Sequence, residues 1–286
     1  MFSRARALKI SLPLLTVAIV SACLVVVTRP YVRYDGIFED VSAWGAFFNV
    51  FGVAYAIVAG FLLVTVLNRY SALSQTIEDE LNAVESVRDF LVYFGEDQHA
   101  PAQALRTALA RYIKTVANAE WQEMADPAIP CNSDTSEELY EIMRCTGNIR
   151  VADDRNLSIL SAVITSSADL AKMRTRRIAL ANERLPPRLR MLLIFMSVAL
   201  TLAFLALGVR SLGVHVFMTA ALSVSVYLIY WVIEDLDHPF YGIWNIDRTP
   251  LDELIKRFES ETSDASPVAA QQAHGESTLK RGQVCS

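Results

Sequence analysis

The chain has 286 residues, of which 53% are hydrophobic and 20% are charged, and its formal net charge is -5. So large an apolar share argues against an ordinary soluble protein, whereas the charged share requires a sizeable water-facing part. A net negative chain that lacks a basic patch with interleaved aromatic residues also argues against a nucleic-acid partner.

Four long uncharged stretches form two pairs around a polar middle region, at residues 10–28, 41–68, 191–209 and 211–233. A helix needs about 20 predominantly apolar residues to cross a bilayer, where its backbone groups must bond within their own segment. The sequence therefore predicts an all-α membrane protein with four transmembrane helices and a helical domain, residues 69–190, inserted between the second and the third.

The positions of lysine and arginine predict the orientation of these helices, because basic residues near a membrane helix stay on the cytoplasmic side. Basic residues precede the first helix, follow the second at Arg69, and precede the third at Arg184, Arg188 and Arg190. We therefore expect both termini and the large middle domain in the cytoplasm. Residues 1–40 then comprise the first helix and an outer loop.

A different interpretation of the N-terminus is a lipoprotein signal, because basic residues and an apolar run precede Val20-Ser21-Ala22-Cys23. The apolar run continues from Leu24 to Val27, whereas a processed lipoprotein turns polar after its cysteine. The length of the whole run favours a membrane-spanning helix.

The middle region shows helical periodicity throughout. Apolar residues from Leu73 to Phe94 recur at spacings of three and four, which predicts that the second membrane helix continues into the cytoplasm and ends near Gly95. A further helix starts at Pro101 and carries an apolar stripe to Trp121, opposite outward-pointing Arg106, Arg111 and Lys114. A short helix at 137–144 and a long one from residue 153 or 154 towards Pro186 complete the domain.

Beyond residue 258 the chain becomes rich in Ser, Thr, Ala and Gln, which predicts a disordered tail at 259–286. Cys131 and Cys145 could pair, although a reducing cytoplasm favours two thiols. The sequence contains no nucleophile elbow, phosphate loop or metal-ligand spacing, so we predict no enzyme, no cofactor and no metal site.

Two parallel lines of residues make the second membrane helix the candidate functional element. Gly52, Ala56 and Gly60 form a small-residue stripe that would let another helix pack closely. Val53, Ile57 and Phe61 form an apolar line beside it. In a ring of subunits that line would stack three apolar rings, which can gate ions by dewetting. The alternative is that the same side chains face lipid or a neighbouring helix.

Several motifs resemble those of the bestrophins. The run Gly60-Phe61, seven residues, then Arg69-Tyr70 resembles their pore-lining second helix, and Asp235 to Gly242 is similar to their Asp-Leu-x-x-Pro-Phe-Gly motif, although Tyr241 interrupts it. Glu120-Trp121 and the arginine-rich segment from Arg174 to Pro186 resemble the bacterial bestrophin-like domain family more closely. The resemblance covers roughly residues 40–255, and we place the bestrophin-like region at residues 41–258.

The resemblance implies an oligomer, which could be a pentamer, in a bacterial inner membrane, passing inorganic ions passively through a central pore lined by Val53, Ile57 and Phe61. It implies a cytoplasmic motif that comprises Arg69, Glu234, Asp235, Asp237, Pro239, Phe240 and Gly242. The acidic residues among these favour cations weakly. A calcium clasp is not carried over, because Ile243-Trp244-Asn245 lacks the oxygen ligands that calcium prefers. The alternative function is a non-conducting sensor or scaffold whose cytoplasmic helices bind another protein.

Overall fold

We describe a computed structural model of the chain at residues 4–30, 41–95, 98–126, 136–150, 154–207 and 209–260. These residues form helices and connecting segments, without a β-strand among them. The helices are α1 Arg4–Thr28, α2 Val41–Phe90, α3 His99–Thr115, α4 Trp121–Ala125, α5 Ser136–Gly147, α6 Asp154–Asn182, α7 Pro187–Leu205, α8 Leu212–Asp237 and α9 249–260.

The described residues contain four helical segments that are long and apolar enough to cross a membrane. They correspond to α1, α2, α7 and α8, which confirms the predicted all-α membrane fold with a helical insertion between the second and third membrane helices. As predicted, α2 continues far beyond its apolar part, and a short 3-10 turn at Leu91–Tyr93 ends it just before Gly95. Pro186 and Pro187 separate α6 from α7, since proline lacks the amide hydrogen that a helix interior requires.

The chain divides into two compact units. The membrane unit comprises Met1–Ala72 and Glu183–Asn245. Its core is formed by the inner faces of α2, α7 and α8, and α1 packs along α8. The buried core residues are Tyr55, Ala59, Leu62, Val66, Leu185, Leu193, Met196, Leu200, Val226, Ile233 and Leu236.

The helical unit comprises Leu73–Asn182 and Ile246–Ser286. The predicted apolar stripes of α2 and α3 are buried in its core, together with residues from α5, α6 and α9. The sequence analysis did not predict α9, whose Leu251, Leu254 and Phe258 are buried there. The proposed tail from residue 261 onward lies outside the described residues, as does Cys131.

A π turn at Val116–Glu120 follows α3 and leads into α4. A π turn inserts one extra residue into a helix and rotates the residues that follow. Here its last residue, Glu120, points inward and is fully buried.

Candidate functional site

In the membrane unit, α2 has two faces with opposite environments. Tyr55, Ala59, Leu62 and Val66 recur at three- and four-residue spacing and are buried against α7 and α8. On the opposite side, the exposed fractions of Val53, Ile57 and Phe61 are 54%, 67% and 65%. A helix of 3.6 residues per turn places residues four apart on one line, so these three side chains form a continuous open line.

The small-residue stripe does not pack against another helix among the described residues. Gly52 and Gly60 have no atom within 4 Å of the position that a Cβ would occupy, and Ala56 is exposed. Close packing on this stripe therefore needs a neighbouring molecule, and it stays a prediction.

The open face of α2 changes character towards the end of the membrane unit. Val64 on this face is exposed and apolar. Asn68 and Ser71, which follow it along α2, are exposed and polar. The same face therefore passes from a hydrophobic to a hydrophilic surface within two helical turns. The sequence analysis did not single out this polar continuation.

The end of α8 carries a buried carboxylate surrounded by arginines. Asp237 is fully buried, and its Oδ1 lies 2.7 Å from Nη2 of Arg69, while its Oδ2 lies 3.0 Å from Nη2 of Arg190. Arg184 donates a hydrogen bond to the Asp237 carbonyl oxygen, and the Leu185 amide donates to Oδ1 at 3.0 Å. The structure thus brings together Arg69 and Asp237, which lie 168 positions apart in the sequence.

This cluster carries more positive than negative charge. Besides Asp237, its other acidic residue is Glu234, whose Oε2 lies 3.3 Å from Nε of Arg190. Burial lowers the pKa of the Arg184 guanidinium, Asp237 opposes this effect, and the neighbouring Arg69 and Arg190 charges add to it. Glu234 and Asp237 already have cationic partners, so their carboxylates do not form a free acidic surface.

The segment after α8 is held by Asp235. Its Oδ1 accepts a hydrogen bond from the Ile243 amide at 3.0 Å, and its Oδ2 accepts one from the Trp244 amide at 2.9 Å. Gly242 has a φ of 147°, and a Cβ there would lie 2.5 Å from the Asp235 Oδ1. Glycine is therefore required, because a side chain would be strained and would collide with the carboxylate.

Pro239 and Phe240, the remaining residues of the predicted cytoplasmic motif, are both buried. Together with Asp235 and Gly242 they give the motif a structural role, which is to fix the turn that follows the last membrane helix.

The helical unit contains a second charge cluster, which is balanced and fully enclosed. Arg177 donates from Nε to Glu80 Oε2 at 2.6 Å and also pairs with Glu120. Arg174 completes the set through Glu120 Oε1 at 2.9 Å, and the Tyr112 hydroxyl donates to Glu80 Oε1 at 2.5 Å. Buried ions are tolerated when each one is paired and hydrogen-bonded, as these are.

The charges in this cluster shift the pKa values of Arg177 and Tyr112. Burial lowers the pKa of Arg177, but the charges of Glu80 and Glu120 outweigh it and raise the pKa well above its ordinary value. Burial, reinforced by the Glu80 charge, raises the pKa of the Tyr112 hydroxyl well above 10.0. The arginine therefore stays charged and the tyrosine stays neutral across the physiological range.

The sequence analysis noted Glu120 and Arg174 only as points of resemblance and missed Glu80 and Arg177. One local signal was present: Glu80 interrupts the apolar stripe between Ile77 and Val84, on the face that becomes buried. A carboxylate at such a position indicates a buried partner, because lone charges are rarely buried.

Comparison with known proteins identifies the family. A family model, the bestrophin-like domain, matches residues 14–251. The chain belongs to the bestrophin-like family. No curated protein matches this bestrophin-like chain.

Solved structures of bacterial bestrophin homologues have a similar fold. One variant of a homologue from Klebsiella pneumoniae is 17% identical, covers 90% of this chain and 99% of its own, and superposes with a TM-score of 0.69. Another variant from Klebsiella pneumoniae is 17% identical over 91% of this chain and 99% of its own, with a TM-score of 0.67. A structure described as a membrane protein is 16% identical, covers 90% of this chain and 98% of its own, and has a TM-score of 0.68. At these identities the similarity establishes the fold, which is that of a bestrophin-type membrane protein.

Proposed function

We propose that this bestrophin-like protein is the subunit of an oligomeric ion channel, in which α2 of each subunit lines a central pore. The observation that carries the proposal is the open line Val53, Ile57 and Phe61, which lies opposite the buried face of α2. Membership of the bestrophin-like family supports a channel over the scaffold alternative and over an enzyme. Ions would pass down their gradient.

In a closed ring, each residue of the open line is repeated once per subunit, so that the line becomes three stacked apolar rings. A narrow apolar ring excludes water and opposes ion passage unless it widens. The polar side chains of Asn68 and Ser71 follow the rings on the same helix face and suit a water-filled continuation. The small-residue stripe Gly52, Ala56 and Gly60 would then lie near a neighbouring subunit, where the absence of bulk permits close helix contact.

The proposal includes an orientation and an assembly. The basic residues beside the membrane helices support a cytoplasmic location for both termini and for the helical unit, in a bacterial inner membrane. We propose a pentamer with the lipid bilayer and inorganic ions as partners, on the strength of the family resemblance.

The Asp237 cluster has a supporting role in this proposal. Arg69 and Arg190 pair with Asp237 and Glu234, so these two carboxylates give no preference for cations. Arg69 extends from α2 to the buried Asp237 carboxylate and thereby fixes α2 to the end of α8 within the membrane unit. The cluster therefore sets the position of the pore helix.

A matched pair of phenylalanine variants tests the proposal. Phe61 on α2 and Phe195 on α7 have nearly equal exposed fractions, 65% and 66%. Phe61→Ala should raise ion flux through purified protein in liposomes, because it widens an apolar ring, whereas Phe195→Ala should leave flux unchanged. Flux would be followed with sodium, potassium and chloride gradients, with each variant compared at equal protein density.

Absence of flux for wild type and for Phe61→Ala under every gradient would contradict the channel. That outcome would favour the scaffold, in which the helical unit binds a partner protein. Equal effects of the two phenylalanine variants would contradict the assignment of the pore line.

A further inference from the structure

A half-open cavity of about 530 Å³ lies in the helical unit between α3 and α9. Its lining is basic and polar on the α3 side, where Gln103, Arg106, Arg111, Lys114 and Asn118 contribute. Phe258 of α9 closes the opposite side with a largely buried aromatic ring. All of these lining residues belong to the helical unit, and none of them is a member of the buried ion cluster.

The charge balance of the cavity is one-sided. Three of its lining residues are cations, and no aspartate or glutamate belongs to the lining among the residues that the structure describes. Among the described residues, Lys114 forms an ion pair with Glu259 at 2.7 Å, but both side chains are about half exposed, so this pair is weak and easily exchanged. Neither Arg106 nor Arg111 forms an ion pair within the described part of the chain.

A merely solvated helix face does not explain Arg106. Its Nε is buried from solvent and has no hydrogen-bond acceptor within the described residues. Buried donors are nearly always satisfied, because an unpaired one loses its bonds to water without replacement. The Arg106 Nε is therefore an unsatisfied donor inside the wall of a cavity whose lining also includes Arg111 and Lys114.

We propose that this cavity binds a phosphorylated small molecule. Arginine presents planar, paired donors that match phosphate oxygens, and lysine adds a point charge, so the three positive charges suit a multiply charged phosphate better than a singly charged carboxylate or a neutral ligand. The volume lies within the range of small-molecule pockets and exceeds what one phosphate needs, so an organic group or a second phosphate is accommodated beside Ala110 and Phe258. The phosphate is supplied either by a soluble compound such as a nucleotide or by a phospholipid headgroup.

Calorimetric titration of the full-length protein in phospholipid-free detergent tests the site, with sodium pyrophosphate and ATP as probes. Wild type should bind at least one of the two, more weakly as salt is added, because the cations are partly exposed. The double variant Arg106→Gln and Arg111→Gln should raise the dissociation constant about tenfold or more, because both guanidinium groups are lost.

Arg155→Gln with Arg176→Gln is the matched control, since both arginines are exposed on α6, outside the cavity lining, and the change in net charge is identical. This control should bind within about twofold of wild type. The single variant Arg111→Gln removes an exposed side chain, so its weaker binding would remain interpretable if the double variant misfolded. No binding of either probe by wild type, or equal weakening by the two double variants, would overturn the proposal.

Competition distinguishes the two sources of phosphate. Displacement of pyrophosphate by short-chain phosphatidylglycerol, at concentrations where short-chain phosphatidylcholine has no effect, would assign the site to an anionic headgroup. Persistence of pyrophosphate binding in both lipids would assign it to a soluble phosphate compound.

Discussion

The two faces of α2 differ in what they contact. In the membrane unit one face is packed through Tyr55, Ala59, Leu62 and Val66 and is anchored by Arg69 to Asp237. In the helical unit the same helix buries Leu73, Val84 and Glu80, the last within an ion cluster. On the opposite face, the side chains of Val53, Ile57 and Phe61 are all more than half exposed. The packed face accounts for the stability of the fold, and the open face is available for function.

The largest expected effect comes from Glu80 on the packed face. Glu80→Gln removes one negative charge from the buried ion cluster and leaves the positive charge of Arg177 only partly balanced. The free energy of unfolding should fall by about 3–5 kcal/mol. The measurement is the unfolding temperature of the detergent-solubilised protein. Glu78→Gln is the control, because Glu78 lies on the same helix but is exposed. A similar decrease in the unfolding temperature of both variants would contradict the difference in packing that we assign to the two faces of α2.

Leu62→Ala should have the next largest effect, because Leu62 is fully buried in the membrane unit. The variant loses packing and leaves a cavity, at a cost of about 2 kcal/mol. This loss of stability is at the low end of the values for buried leucines, because apolar atoms that lose their contacts in a membrane are exposed to lipid, which costs less free energy than exposure to water. Ile57→Ala, on the open face, should change the unfolding temperature little, and a loss equal to that of Leu62→Ala would show that Ile57 is packed in the assembled protein.

Tyr112→Phe should cost about 1 kcal/mol at neutral pH, because Glu80 loses one of its donors. Burial, with the Glu80 charge, raises the pKa of Tyr112 above 10.0, so the folded state retains the proton more strongly than the unfolded state. The resulting stabilisation is complete below about pH 10 and is lost as the pH rises through the folded-state pKa.

Unfolding temperatures measured from neutral pH to above pH 10 check this linkage. Wild type should lose stability in the alkaline range more steeply than Tyr112→Phe. Parallel curves for the two proteins would contradict the assigned protonation of Tyr112.

The smallest expected effect on stability is that of Phe61→Ala, below about 0.5 kcal/mol, because the exposed ring forms no core contacts. The same variant is expected to have a clear effect on ion flux. A large loss of stability, together with unchanged flux, would reverse the roles assigned to the two faces.

Local sequence patterns were sufficient to predict most of the helices and the alignment of three apolar residues along α2. Apolar spacing predicted the extension of α2 beyond the membrane, and Gly95 and the Pro186-Pro187 pair marked helix ends. The same periodicity placed Val53, Ile57 and Phe61 on one side of α2, although it did not say what that side faces.

The ion clusters could not be predicted in this way. Glu120 meets Arg174 across 54 positions, Glu80 meets Arg177 across 97, and Arg69 meets Asp237 across 168. Such partners are chosen by tertiary packing, which a local period does not encode. The sequence indicated only a weak preference for cations at Glu234, Asp235 and Asp237, and it did not reveal their partners, because these are distant along the chain or in the following loop.

Helix α9 was missed for a different reason. Leu251, Leu254 and Phe258 have helical spacing, but the run is short and adjoins a polar segment that resembles a disordered tail. In the sequence, Asp247 shortly before Pro250 was a usable signal for the start of a helix. In the structure Pro250 lies in the first turn of α9, and Asp247 accepts a hydrogen bond from the Thr249 amide at 2.9 Å.

Cysteine labelling at Ile57 tests the central claim most directly. In a protein whose native cysteines are replaced by serine, Ile57→Cys would be reconstituted in liposomes and treated with a charged thiol reagent that cannot cross lipid. The account predicts that the reagent reduces ion flux through Ile57→Cys and leaves flux through Phe195→Cys unchanged. Unmodified Ile57→Cys with undiminished flux would mean that this line faces lipid, and would contradict a pore lined by α2.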